Sequence, residues 1–435
     1  MVLKRLAASN IECNKHYNFS VNRGGYASLL QLVLPCPRCP RYGCTMSRTA
    51  HPMIWLPVAL GMFAVAWGGN TFTPLLVFYR QRGDFSALFV DSMLAMYALG
   101  VVVALLLSGP LSDRYGRKPV MLPAPVVAIV ASVLIALGEH VELLMAGGRF
   151  LAGAAVGMVM TAGGSWLKEL SSGASGAKRA AMSLTAGFAL GALVSGVLAQ
   201  WAPWPGQLAY GIHLVLTVAL LPLLSVVPET RQSAHLRVKG SWWADCSVPS
   251  ARLPRFMFVV VPAAPWVFGS GFTGNAIVPT LMQDRVSVPI AFNAFACLVT
   301  LGVGFVVQQF GPRICAGGGI RGTLIALGLA CVGMVLAAWT AAERSLPLAI
   351  VTCAVVGACY GLGMFNGLNQ VQQMAPPNDL AGLTGIFYCF TYVGMVFPAL
   401  LTRLGGVLSY PQMLGFGACV AVVTAVFVSV VSRHD

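Results

Sequence analysis

Long runs of uncharged, mostly apolar residues recur along most of the chain, with short charged or polar stretches between them. A helix needs about 20 such residues to cross the hydrocarbon core of a bilayer. Twelve runs meet this requirement, so the sequence predicts an all-α membrane protein. The expected spans cover residues 53–78, 85–107, 119–137, 141–166, 180–200, 208–227, 256–281, 289–310, 323–341, 347–370, 380–401 and 413–431.

The charged residues support a membrane protein rather than a soluble one. Only 9% of the residues are charged, whereas soluble domains carry about 25%. The net charge of +14 could indicate nucleic-acid binding, but the basic residues lie in loops rather than on one soluble face. Cytosolic loops are enriched in Lys and Arg, and the loops on the side of the two termini are the more basic. The opposite side carries only Arg80, Arg82, Arg285, Arg344 and Arg403. We therefore expect a multi-pass protein of the plasma (inner) membrane with both termini in the cytosol.

Residues 1–52 are a basic segment that differs from the spans. Cys36, Cys39 and Cys44 could begin a zinc site, but a structural site needs four ligands in paired spacing and no second pair follows. We expect a disordered cytosolic tail, and a translation start at Met46 is the alternative. Two six-span halves follow, residues 53–228 and 256–431, joined by a polar cytosolic stretch at 229–255.

The stretch after the second span concentrates charge in a few residues, Gly109-Pro-Leu-Ser-Asp-Arg-Tyr-Gly-Arg-Lys-Pro119. Asp113 lies four residues before Arg117, within reach of a local ion pair. This stretch resembles the loop between helices 2 and 3 of the major facilitator superfamily. The matching residues are Gly109, Leu111, Asp113, Arg114, Gly116, Arg117 and Lys118. A merely solvated basic loop is the alternative. Pro228-Glu-Thr-Arg231, after the sixth span, is similar to endings found across the same superfamily.

The resemblance implies twelve transmembrane helices in two pseudo-symmetric six-helix bundles, with a substrate site between them near the midplane. An internal repeat agrees with this architecture. Pro57, Gly69, Asn70, Pro74 and Leu76 recur at an offset of 205 as Pro262, Gly274, Asn275, Pro279 and Leu281. Gly153, Gly157, Met160 and Gly163 recur at an offset of 204 as Gly357, Gly361, Met364 and Gly367. The resemblance also implies that Asp113, as a gating residue, holds the second span against the eleventh when the inner side is closed.

Arg149 is the one basic residue well inside a span, about 12 Å from the start of its helix. A charge at this depth usually faces a partner or a water-filled cavity, and the alternative is an arginine that snorkels outward. Arg149-Phe-Leu-Ala-Gly153 resembles the superfamily's helix 4 motif, whose arginine is implied in proton coupling. Asp91 and His213 are further coupling candidates, although Asp91 could simply meet water and His213 could be a packing residue.

Small and polar residues suggest which helix faces are internal. Gly153 and Gly157 in the fourth span and Gly187, Gly191 and Gly196 in the fifth predict close helix packing. The fifth span resembles the antiporter pattern G-x-x-x-G-P-x-x-G-G, but Ala192 and Ser195 depart from it. Polar side chains within spans should line the interior or join helices. The expected cavity residues are Asn70, Thr71, Thr73, Asn275, Tyr360, Asn366, Asn369, Gln370, Tyr388 and Tyr392.

The resemblance implies a secondary transporter that moves a small solute by alternating access, most like proton-driven drug or metabolite exporters. A proton-coupled uptake symporter and a non-transporting receptor or scaffold on the same fold are the alternatives. The sequence lacks H-E-x-x-H, G-x-S-x-G and a phosphate-binding loop with lysine, which disfavours an enzyme or ATP-driven pump. We expect no cofactor and no metal, a small and possibly amphipathic substrate, protons and the lipid bilayer as partners, and a monomer.

Overall fold

The computed structural model describes residues 53–82, 84–172, 174–231, 248–316, 320–376 and 379–432. Within these ranges the chain forms twelve long helical segments, numbered α1 to α12. They cover Leu56–Arg82, Ala87–Tyr115, Arg117–Leu137, Glu142–Glu169, Ser175–Trp201, Pro205–Ser225, Phe256–Arg285, Pro289–Ile314, Arg321–Glu343, Leu346–Met374, Leu380–Leu404 and Tyr410–Val431. The predicted tail, 1–52, and most of the predicted linker, 232–247, lie outside the described residues.

Eleven of the described helices are long and apolar enough to cross a membrane, all except α1. Helix α1 is 27 residues long and packs inside the protein, but Asn70, Thr71 and Thr73 make its middle more polar. The large apolar side chains of the outer helices are exposed, among them Val215, Phe416 and Val423. An apolar exterior of this kind is stable only against lipid.

Helices α1 to α6 form one bundle and α7 to α12 form the other. Helix α1 packs against α5 and α2 against α4, and in the second bundle α8 packs against α10 and α9 against α12. Close approaches at glycines hold these pairs together. A Cβ atom at Gly153 would lie 2.0 Å from the carbonyl oxygen of Tyr97, and one at Gly357 would lie 2.1 Å from that of Thr300. The equivalent contacts in the two bundles give the predicted pseudo-symmetry.

Two helix pairs make the largest contacts between the bundles. Helix α5 packs against α8, and α2 packs against α11. A Cβ at Gly196 would lie 2.4 Å from the Cβ of Ala294 in the first pair, and one at Gly109 would lie 3.0 Å from the carbonyl oxygen of Ala381 in the second. Gly187 and Gly191 instead pack within the first bundle, where Cβ atoms would lie 2.3 Å from the carbonyl oxygens of Phe63 and Trp67.

The charged stretch predicted as a loop is mostly helical. Helix α2 continues through Pro110 to Tyr115, and α3 begins at Arg117, so Gly116 alone separates the two helices. Gly116 has φ of +110°, a conformation that glycine adopts without strain. Proline is tolerated within membrane helices because neighbouring groups satisfy the freed backbone, which explains why α2 does not stop at Pro110.

Candidate functional site

Asp113 joins the two bundles at the end of α2. Its carboxylate accepts hydrogen bonds from the backbone N–H groups of Gly382, at 3.1 Å, and Ala381, at 3.4 Å. These residues begin α11, where the free N–H groups and the helix dipole attract a negative charge. Asp113 is 8% exposed. We call this contact the α2–α11 latch, made by Asp113, Ala381 and Gly382.

Arg117 connects the latch to the rest of the first bundle. Its Nη1 donates to Asp113 Oδ1 at 2.6 Å, and its Nη2 donates to Glu169 Oε1 at 2.7 Å. The guanidinium is completely buried, so both carboxylates compensate its charge in a region of low dielectric. Glu169, at the end of α4, also accepts a hydrogen bond from the Thr230 hydroxyl. The sequence analysis did not identify Glu169. The only sequence feature that could have indicated it is its position as an acidic residue at the end of a span.

Glu229 caps the start of α3. Its carboxylate accepts from the backbone N–H groups of Arg117, at 3.1 Å, and Lys118, at 2.8 Å. Arg231 donates from Nη2 to the carbonyl oxygen of Asp113 at 2.8 Å, so the Pro228–Arg231 segment supports the latch from behind. Arg114 is buried, with its guanidinium 5.4 Å from the centre of the Tyr115 ring. The Lys118 ammonium donates to the carbonyl oxygen of Ser225 at 2.6 Å.

A cavity lies between the two bundles and has an empty volume of about 480 Å³. Of the predicted residues, Asn70, Thr73, Arg149, Asn275, Tyr360 and Tyr392 line it. The lining also contains residues that sequence reasoning missed, namely Gly69, Leu94, Tyr97, Phe188, Phe268, Gly271, Phe272, Leu301 and Met395. The cavity is therefore mostly aromatic and apolar, with polar groups at a few points.

The other predicted cavity residues lie elsewhere. Asn366 and Gln370 line a second cavity inside the carboxy-terminal bundle, and both side-chain amides donate to the Thr323 hydroxyl at 2.9 Å. The hydroxyl of Thr71 donates to the carbonyl oxygen of Trp67. Tyr388 is buried and Asn369 is half-buried, and neither belongs to the lining of the central cavity. Their role in substrate binding stays a prediction.

Arg149 reaches the central cavity from α4 and is 1% exposed. The guanidinium carbon lies 4.4 Å from the centre of the Phe72 ring and 4.5 Å from that of Tyr97. Its Nε donates to the carbonyl oxygen of Met93 at 3.3 Å. The arginine therefore faces the interior between two aromatic rings and does not snorkel outward. Asp91 belongs to α2, two residues before Met93, but its side chain is outside the described set.

His213 is completely buried among α1, α3 and α6. Its Nδ1 lies 2.7 Å from the Ser132 hydroxyl, and its Nε2 lies 3.0 Å from the carbonyl oxygen of Ala64. A carbonyl only accepts, so Nε2 carries a proton and donates to Ala64, and Nδ1 of the neutral ring can accept from the Ser132 hydroxyl. The neutral ring is thus hydrogen-bonded on both sides, away from the central cavity. Its part in proton coupling stays a prediction, and the geometry favours a packing role.

No cluster of three or more His, Cys, Asp or Glu side chains that could hold a metal occurs among the residues whose positions the structure gives. The chemistry of the site is instead a carboxylate at a helix terminus, a buried guanidinium and an aromatic cavity. None of these groups is arranged as a nucleophile with an adjacent base.

Two relatives of this chain carry names that refer to drug resistance. The chain is 26% identical over 352 residues to a chloramphenicol resistance protein of Pseudomonas aeruginosa, covering 78% of each chain. It is 43% identical over 63 residues to the multidrug resistance protein MdtL of Shigella flexneri serotype 5b, a match that covers 14% of this chain and 16% of that one.

Solved structures of similar fold include the human organic anion transporter MFSD10 (TETRAN), with a TM-score of 0.69, 16% identity and coverage of 86% of this chain and 99% of that chain. The proton:xylose symporter XylE aligns with a TM-score of 0.66, 16% identity and coverage of 86% of this chain and 94% of that chain. At this identity the likeness concerns the fold. The sequence model of the Major Facilitator Superfamily matches residues 58–399. The chain is therefore a multi-pass membrane transporter that belongs to the Major Facilitator Superfamily.

Proposed function

We propose that this transporter exports small amphipathic solutes from the cytosol, driven by protons and working by alternating access. Two named relatives are resistance proteins, one of them matched over most of its length, and resistance by a transporter requires export. The basic loops support a position of the α2–α11 latch on the cytosolic side of the cytoplasmic membrane. Both termini are then cytosolic as well.

The latch is the observation that carries the proposal. Asp113 binds the start of α11 across the bundle interface at one end of the protein, while the aromatic cavity lies between the same two bundles. This combination is expected of a transporter whose inner side is closed. The lining of the cavity comes from both bundles, so a solute that enters from the cytosol requires the bundles to move apart.

The proposed movement is rocking of one bundle against the other along α5 and α8. Opening of the inner side breaks the two hydrogen bonds of Asp113 and exposes the cavity to the cytosol. A proton or solute then favours one state by binding it more tightly than the other. Arg149 and Asp91 are the residues we propose for coupling to the proton, because they belong to neighbouring helices beside the cavity.

The test is flux in sealed inside-out vesicles, with and without a pH gradient, using chloramphenicol as the first solute because of the named relative. We expect uptake into these vesicles only when the interior is acid. Asp113→Asn should leave the protein folded and in the membrane but abolish uptake, since an amide binds the helix terminus more weakly than a carboxylate. Asp284→Asn is the control, because Asp284 is an exposed acid at the opposite end of the molecule. Solute that moves in the same direction as the protons would instead support an uptake symporter. Unchanged transport by Asp113→Asn would overturn the role of the latch.

A further inference from the structure

Two polar side chains of the central cavity, Arg149 and Asn275, carry hydrogen-bonding groups that no described residue uses. For Arg149, Nε donates to Met93 and Nη1 lies 3.5 Å from the carbonyl oxygen of Gly69. Its Nη2 donates to no described atom, and no described carboxylate forms an ion pair with the guanidinium. A guanidinium inside a membrane protein is stable only with a compensating group, so its free edge is suited to an acceptor that enters the cavity.

The position of this free edge is fixed by packing. The guanidinium lies between the rings of Phe72 and Tyr97, at 4.4 and 4.5 Å from their centres. Such cation–π contacts stabilise the charge but leave the N–H groups at the edge available. Arg149 is also the only charged residue in the described lining of the cavity. The one charge among these lining residues is therefore positive, which disfavours a cationic solute.

Asn275 is the second of these polar side chains. Comparison with its counterpart in the repeat explains why it lacks an internal hydrogen-bond partner. Asn70, at an offset of 205, uses its amide inside the protein: Nδ2 donates to the carbonyl oxygen of Phe188 at 2.9 Å, and Oδ1 accepts from the Thr73 hydroxyl at 2.6 Å. At the same offset, Thr73 corresponds to Val278, which has no hydroxyl. Asn275 is 7% exposed, and its Oδ1 is buried with no hydrogen-bond partner among the described residues.

We propose that the cavity recognises an aromatic carboxylate, or a close acidic analogue, that carries a separate hydroxyl or N–H group. The acidic group binds the free edge of Arg149, the hydroxyl or N–H group binds the amide of Asn275, and the ring packs against Phe188, Phe268 and Tyr360. Cationic amphiphiles bind weakly. Arg149 belongs to α4 and Asn275 to α7, so one such molecule connects both bundles. This assignment names the solute class of the proposed transporter and rests on its use of this cavity.

The test is a fluorescence titration of the full-length protein in lipid nanodiscs with four naphthalenes of equal ring size. They are 6-hydroxy-2-naphthoate, 2-naphthoate, 6-hydroxy-2-naphthamide and the 6-hydroxy-2-naphthyl trimethylammonium cation. We expect 6-hydroxy-2-naphthoate to bind at least tenfold more tightly than the cation, and several-fold more tightly than the amide and 2-naphthoate. Equal or tighter binding of the cation overturns the proposal.

Two variants assign the groups. Arg149→Gln should reduce the preference for the anion over the cation to less than twofold. Val278→Thr should give Asn275 the internal partner that Thr73 gives Asn70, and so reduce the advantage of 6-hydroxy-2-naphthoate over 2-naphthoate while leaving 2-naphthoate binding unchanged. Val278→Ala is the matched control without a hydroxyl and should keep the advantage. An unchanged anion preference in Arg149→Gln, or equal effects of the two Val278 variants, contradicts the assignment.

Separate measurements of binding and transport distinguish a failure of this inference from a failure of the proposed function. If the anion binds as expected but no solute moves in vesicles, the transport proposal fails and the assignment of the cavity stands. If vesicles transport cationic solutes as fast as 6-hydroxy-2-naphthoate, the assignment fails and the transport proposal stands.

Discussion

Gly153 is a residue at which the first bundle has no room for a side chain. A Cβ there would lie 2.0 Å from the carbonyl oxygen of Tyr97 in α2, whereas a Cβ at Gly147, in the same helix, meets nothing within 4 Å. Gly153→Ala should therefore force α2 and α4 apart and cost about 1–3 kcal/mol. The thermal midpoint of the purified protein, measured by loss of the monodisperse gel-filtration peak after heating, should fall.

Gly147→Ala is the matched control for that substitution. Its added methyl group meets open space, and alanine is favoured over glycine in a helix by up to about 1 kcal/mol. The midpoint should stay the same or rise slightly. Equal midpoints for the two alanine variants would show that α2 and α4 can separate without cost, against the close packing described for this helix pair.

His213 gives a second prediction about a single residue. Its ring contacts Ser132, Thr217 and the carbonyl oxygen of Ala64, and His213→Ala removes these buried polar contacts at a cost of about 1–3 kcal/mol. We expect lower thermal stability but an unchanged dependence of transport on pH in the vesicles. His140→Ala, at an exposed position, should change neither. A shifted pH profile in His213→Ala alone would make the histidine a proton relay.

The sequence identified Asp113 and Arg117 but not all their partners. Asp113 and Arg117 lie four positions apart, so their ion pair is a local property that spacing predicts. Glu169 and Glu229 lie 52 and 112 positions from Arg117, and only the packing of α4 and the segment after α6 brings them to it. An acidic residue at the end of a span usually meets water, and the residues around it in the sequence do not indicate that a distant arginine is its partner.

Among the helices, α2 and α11 are the pair on which closure of the inner side depends in the proposed mechanism. A Cβ at Gly385 would lie 2.7 Å from the carbonyl oxygen of Leu105, one turn beyond the latch. Gly385→Ala should push the two helices apart and favour the open inner side. Spin labels at the inner ends of α2 and α11 should report a larger share of long distances by pulsed electron resonance. Gly415→Ala, which meets nothing within 4 Å in α12, should leave the distribution unchanged.

Most helices could be predicted from the sequence, but the lining of the cavity could be predicted only in part. Hydrophobic length specifies a span wherever it occurs in the chain. A face that lines an aromatic cavity and a face that meets lipid are both apolar with the same helical period, so Phe188, Phe268 and Met395 carry no distinguishing mark. Polar residues are ambiguous in another way, since Asn366 and Gln370 join helices inside one bundle.

At the scale of the whole molecule, the two halves share geometry but not charge. Arg149 approaches the carbonyl oxygen of Gly69 at 3.5 Å, and its counterpart Cys353 approaches that of Gly274, the counterpart of Gly69, at 3.7 Å. At the offset of 202 that relates Leu99-Gly100-Val101 to Leu301-Gly302-Val303, Asp113 and Arg117 likewise correspond to Cys315 and Gly319. The charged residues of the latch and the cavity thus belong to the first bundle, while the second supplies a helix terminus, an asparagine and aromatic rings.

Alternating access predicts that the latch controls which side of the membrane reaches the cavity. Met395 lies in the cavity lining, so a cysteine there, in a background without other cysteines, reports access through its reaction with the impermeant anion 2-sulfonatoethyl methanethiosulfonate. With Asp113 unchanged, we expect this cysteine to react slowly from the cytosolic side, which is the outer face of inside-out vesicles. Loss of the charged hydrogen bonds at Asp113 should destabilise the state with the closed inner side by about 1.5–3 kcal/mol. This corresponds to roughly a tenfold or larger change in the ratio of the closed and open states.

Asp113→Asn should therefore speed labelling of Met395→Cys from the cytosolic side by about tenfold, while Asp284→Asn should not. Labelling from the external side of intact cells should slow or stay constant, because the states compete for the same protein. The same solute that binds Arg149 and Asn275 should protect the cysteine from both sides. Equal cytosolic labelling with and without the Asp113 carboxylate would mean that α2 and α11 do not close the pathway, and the two bundles would then have to be separated by some other contact.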